Sequence, residues 1–97
     1  MDMYVIRRRN GWKTADDLKE AAARSIEKGD EMSDDIRWIR SYVVAEEDGT
    51  LGTVCVYQAS SPEAIKTHAA AAGLPADEIT LAADTVIVRP DPVAASV

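Results

Sequence analysis

Apolar positions change their period several times along this chain, and each change predicts an element. Met3, Tyr4, Val5 and Ile6 lead into Arg7 and Arg8 and stop before Asn10 and Gly11, which predicts a first strand over residues 3–8. Leu18, Ala21, Ala22, Ser25 and Ile26 then recur at helical spacing as an inward stripe. Thr14 can cap that helix, Asp16 and Asp17 suit the positive end of its dipole, and Gly29 with Asp30 predicts its stop. Residues 36–45 read as a second strand, with Trp38, Arg40, Tyr42 and Val44 on one face and Arg37, Ile39, Ser41 and Val43 on the other.

The polar stretch 46–50 contains Gly49 and predicts a hairpin turn. The partner strand covers 51–59, with Cys55 and Tyr57 on one face and Val54 and Val56 on the other. Ser61, Pro62 and Glu63 are strong signals for a second helix start, and Gly73 followed by Pro75 for its end. A last strand is expected over 78–89, stopped by Pro90, Asp91 and Pro92. One domain over 1–90 and a flexible tail over 91–97 complete the reading.

This order contains two strand–helix–strand units. Right-handed crossovers put both helices on one face of a four-stranded antiparallel sheet, giving a ferredoxin-like βαββαβ fold of the α+β class. The other sheet face is left bare and apolar, so a homodimer of the dimeric α+β barrel type, packed sheet to sheet, is expected.

Composition narrows the partners. The 97 residues hold 17 acidic and 11 basic side chains, a net charge of -6. Such a chain lacks the cationic field that nucleic acid or an anionic membrane surface selects. The single cysteine, Cys55, permits no disulfide within the chain. The N-terminus has no basic segment leading into a long apolar core, and the expected location is the cytoplasm.

Four blocks carry a resemblance. They are Trp38-Ile39-Arg40-Ser41-Tyr42-Val43, then Cys55-Val56-Tyr57, then Ser61-Pro62-Glu63-Ala64-Ile65, then Gly73-Leu74-Pro75-Ala76-Asp77-Glu78-Ile79. Together they resemble a bacterial family of small ferredoxin-like proteins known as a domain of unknown function, some members of which are described as nickel-binding. The resemblance implies a dimer and, as the ligand or cofactor, a transition metal such as nickel. Many relatives carry His where this chain has Arg40 before Ser41 and Tyr42. A guanidinium offers no lone pair to a metal, so a site that relied on that imidazole is lost here.

The candidate metal ligands are His68, the only histidine, and Cys55. His68 falls three residues after Ile65 on the second helix and reads either as a ligand or as a bonded histidine at the edge of the core. Cys55 reads either as a sulfur ligand or as a small buried apolar residue. Trp38, Arg40, Tyr42 and Tyr57 are the candidate ligand-binding residues, with packing as the rival role for the aromatics and an ion pair for Arg40. Arg7, Arg8 and Arg9 followed by Trp12 resemble a small anion site, but strand alternation keeps them from converging, so surface ion pairs are expected. The acidic group Asp30, Glu31, Asp34 and Asp35 lacks the spacing of a calcium loop. No phosphate loop, nucleophile elbow or paired-cysteine motif is present. A small dimeric, non-enzymatic ligand-binding protein is favoured, with a transition metal such as nickel as the ligand the resemblance implies. The alternative is a cofactor-free small enzyme, or a binder with a pocket between sheet and helices.

Overall fold

The computed structural model describes residues 1–76 and 78–92. Its elements run β1 (Asp2–Trp12), α1 (Ala15–Glu31), β2 (Ile36–Ala45), β3 (Leu51–Ala59), α2 (Pro62–Ala72) and β4 (Glu78–Leu81). The strands form one antiparallel sheet in the order β2-β3-β1-β4. This is the expected ferredoxin-like α+β fold.

Both helices start where their caps place them. Thr14 Oγ1 accepts from Asp17 N at 3.1 Å, and Ser61 Oγ accepts from Ala64 N at 3.2 Å. Each satisfies one of the amides that a helix start leaves free. Gly73 ends α2 with a left-handed φ of 72°, and Leu74 N closes back onto Ala69 O at 2.8 Å. Arg24 of α1 reaches across and donates through Nε to Ala72 O at 2.9 Å, covering another carbonyl of that end.

The core lies between the helices and one face of the sheet. Tyr4, Ile6, Ile36, Cys55, Tyr57, Ala59 and Ile65 are buried together there. Register places Tyr4, Ile6 and Arg8 of β1 opposite Tyr57, Cys55 and Thr53 of β3 on this face. Val5 and Arg7 pair with Val56 and Val54 on the helix-free face. No helix is long and apolar enough to cross a membrane among the described residues.

Four expectations change. The last strand stops at Leu81 rather than reaching residue 89. In the β1–β4 register Tyr4 meets Leu81, and Ala82 N donates to Met3 O at 2.9 Å, so β1 runs out of residues to pair. Residues 82–92 instead leave the β4 edge and bring Asp91 to Arg40 and Tyr42 on β2, at the other edge. Within them Val86, Ile87 and Val88 are 85%, 70% and 78% exposed. Most of the tail expected over 91–97, residues 93–97, lies outside the described residues.

The second change concerns β2. Trp38 pairs with Tyr57 but Arg40 pairs with Val56, so a bulge at Ile39 shifts the phase by one residue. Trp38, Ser41 and Val43 therefore face the helices, while Arg40, Tyr42 and Val44 face away. The expected common face of Trp38 with Arg40 and Tyr42 is broken at that bulge. Third, β1 extends to Trp12 through an irregular stretch in which Asn10 holds a positive φ of 51°. Fourth, α1 continues past Gly29 to Glu31, with Met32 N donating to Lys28 O and Gly29 O. Ile26, placed in the inward stripe by its spacing, is 53% exposed.

Candidate functional site

Between α1 and the covered sheet face lies a cavity of about 260 Å³. Its walls include Trp12, Trp38, Tyr57, Leu18, Ala21 and Ala22, with Arg8, Cys55 and Ser41 supplied by the strands. Small residues at 21 and 22 leave the space, and the β2 bulge turns Trp38 and Ser41 into it. Trp38 stacks on Tyr57 with ring centroids 5.9 Å apart and planes at 10°. Both tryptophans of the chain line this space.

A polar relay runs along the floor. Trp38 Nε1 donates to Ser41 Oγ at 2.7 Å, and Ser41 Oγ donates to Cys55 Sγ at 2.9 Å. Arg8 Nη1 donates to the same sulfur at 3.2 Å. The thiol lies 3.4 Å from Thr53 Oγ1. Arg8 is 2% exposed and is fixed further by Nε donating to Pro75 O at 2.6 Å. Its Nη2 has no partner among the described residues. The guanidinium carbon sits 6.0 Å from the centre of the Tyr57 ring.

Arg8 is the residue that sequence reasoning misplaced. The run Arg7-Arg8-Arg9 suggested surface ion pairs, and Arg7 and Arg9 form them, with Glu46 and Glu78 at 2.8 Å each. Alternation sends Arg8 alone to the covered face. Its parity with Tyr4 and Ile6 was the available signal.

His68 lies behind Tyr57, 1% exposed, with ring centroids 5.7 Å apart. Its Nε2 is 2.9 Å from Ser25 O; the carbonyl can only accept, so Nε2 carries the proton and Nδ1 is bare. Nδ1 is buried without a partner among the described residues. Burial holds the imidazole pKa below its usual range, the Ser25 carbonyl opposes that shift, and the Arg8 charge adds to it. The ring is neutral at pH 7. Tyr57 OH is 3.2 Å from Ser25 Oγ, and burial raises its phenol pKa. Ser25 of α1 thus holds both rings, one through its hydroxyl and one through its carbonyl.

The six candidates fall into two groups. Trp38, Tyr57 and Cys55 line the cavity, with the His68 ring packed at a tilt behind Tyr57. Arg40 and Tyr42 sit on the helix-free face, where Arg40 Nη1 meets Asp91 Oδ2 at 2.8 Å and the Tyr42 hydroxyl donates to Asp91. Those contacts hold the Asp91 carboxyl below its ordinary pKa, the Tyr42 bond contributing most.

A nickel ion does not fit the donors that the described residues of this chain offer. Cys55 Sγ already carries a guanidinium, whose charge opposes a divalent cation, and His68 adds only one lone pair. Among the described residues no three His, Cys, Asp or Glu side chains gather as a metal-holding group.

The comparisons with known proteins agree with the fold. The chain is similar to SCO4226 from Streptomyces coelicolor A3(2), whose crystal structure it matches with a TM-score of 0.66 at 21% identity, over 87% of this chain and 99% of that one. No curated protein matches it. A family model described as nickel responsive protein, SCO4226-like, matches residues 4–81, the span that holds all of the sheet but the first two residues of β1, both helices and every wall of the cavity. The chain therefore belongs to the SCO4226-like family of nickel responsive proteins.

Proposed function

We propose that this member of the family is a small homodimeric ligand-binding protein whose ligand occupies the cavity between α1 and the sheet. The observation that carries the reading is a roughly 260 Å³ space beside a cation, walled by three aromatic rings. Ligand sites have this make-up, apolar walls with few polar groups, and this one suits a ligand of about one ring. The walls supply no reacting pair: Tyr57 OH is bonded to Ser25, and His68 Nε2 to the Ser25 carbonyl. The role is binding rather than catalysis.

The dimer forms through the helix-free face. Val5, Val54 and Val56 lie on it, and Val86, Ile87 and Val88 of the segment that follows β4 are exposed apolar residues. Light scattering at micromolar concentration should give the mass of two chains, and a monomer would overturn this part.

Titration with small aromatic compounds should change the fluorescence of Trp12 and Trp38 and raise Tm. Ala22→Phe, which fills the cavity, should abolish both responses while the chain stays folded. A wild-type chain that answers none of them would overturn the reading.

Nickel supplies a second reading, supported by the family description and the bare Nδ1 of His68. With one imidazole available, and Arg40 where many relatives carry His, binding should be weak. Calorimetry with nickel chloride tests this. Tight binding that survives His68→Ala would show that the ion is held elsewhere.

A further inference from the structure

We infer that the cavity is an anion site, and that its ligand is a small monocarboxylate with a flat apolar body, held by Arg8. The inference rests on the reading of the cavity as a ligand site and adds the chemical class.

Charge is the first argument. A guanidinium keeps its charge in proteins, and burying a cation without a counter-charge is costly. Arg8 is 2% exposed, yet its described partners are a carbonyl and a sulfur, and Nη2 has none. The other close arginine pairs show what this chain does elsewhere: Arg7, Arg9 and Arg40 each meet a carboxylate at 2.8 Å. At Arg8 no described side chain fills the place of that carboxylate.

The walls are the second argument. Among the described residues they contain Arg8 and Lys19 but no aspartate or glutamate, in a chain with 17 acidic residues against 11 basic ones. Lys19 is exposed and extends the positive field outward.

Geometry narrows the anion. Nε and Nη1 are committed, so Nη2 alone is left, with two N–H groups for one carboxylate. A phosphate carries close to two negative charges near neutral pH, more than one buried cation balances. The volume and the stacked pair Trp38–Tyr57 favour one flat ring on the carboxylate.

Benzoate and its neutral isostere benzamide test the class, read by tryptophan fluorescence and Tm on the intact chain. Benzoate should bind the wild-type protein at least about tenfold tighter, as a charge-assisted hydrogen bond is worth that much over a neutral one. Arg8→Met, with circular dichroism to confirm folding, should reverse the order. The wild-type comparison needs no variant and stands even where Arg8→Met fails to fold. Equal binding of the two compounds would overturn the anion class and leave the cavity reading intact. Failure of both to bind at millimolar concentration would overturn both.

Discussion

Three consecutive arginines meet two different fates on the two sides of one sheet. On the open side Arg7 and Arg9 each find a glutamate, and Arg40 nearby finds Asp91. On the covered side Arg8 finds a carbonyl and a thiol. The Arg9 and Arg40 pairs sit where water screens them and contribute little to stability, while the Arg7–Glu46 pair is half-covered. Arg8 is 2% exposed, so its charge weighs heavily on whatever shares that space. The same side chain is solvation on one face and chemistry on the other, and only register distinguishes them.

That contrast can be attacked first at the packing beneath Arg8. Ile6→Ala or Ile65→Ala removes a fully buried side chain and should cost about 2–5 kcal/mol in urea unfolding. A loss below 1 kcal/mol for both would mean that this side is not the core. Gly52→Ala should come next, at about 1–3 kcal/mol, because a Cβ there would lie 2.5 Å from Arg8 O and 2.6 Å from Glu46 Oε2.

Arg8→Met and Arg7→Met compare the two sides directly. Arg8→Met should leave unfolding stability within about 1 kcal/mol of the wild type or raise it, since an apolar side chain of similar size replaces an uncompensated buried charge. Marked destabilisation by Arg8→Met alone would show that the guanidinium is a structural post rather than a waiting cation.

Protonation sharpens the same contrast. His68 has a folded pKa below its unfolded value of about 6.5, so the unfolded chain takes up its proton first as pH falls. Its contribution is whole above pH 6.5 and is lost as pH falls toward the folded pKa. Glu46 and Asp91 also titrate below their usual range, held there chiefly by Asn10 N and by Tyr42, and their contributions fade at lower pH still. His68→Gln should therefore flatten the upper part of the acid unfolding curve and leave the lower part unchanged. The smallest effect belongs to Arg9→Gln, whose ion pair is exposed on both sides, with Tm expected to stay within the error of calorimetry.

Most of the fold is legible in the sequence because its punctuation is local. Thr14, Ser61-Pro62 and Gly73 act within a turn of themselves, and each sits where its chemistry places it. Strand length is different. Whether β4 continues past Leu81 depends on how much of β1 is left to pair, and no property of Thr85 to Val88 encodes that. The cavity is half legible. Trp38, Cys55 and Tyr57 are recognisable as candidates, but Arg8 is hidden by its neighbours' evident surface role. Arg40 and Tyr42 are separated from Trp38 by an insertion that alternation cannot see.

The bulge at Ile39 acts on β2 as an extra base acts on a reading frame. Upstream of it, even-numbered residues such as Trp38 face the helices; downstream, odd-numbered ones such as Ser41 and Val43 do. Drawing Ile39 into regular pairing with Val56 would exchange the cavity wall with the outer surface over the whole second half of β2, whereas deleting it would leave both faces as they are. The regular pairing would place Arg40 and Tyr42 beneath α1 and expose Ser41, without altering any of those side chains.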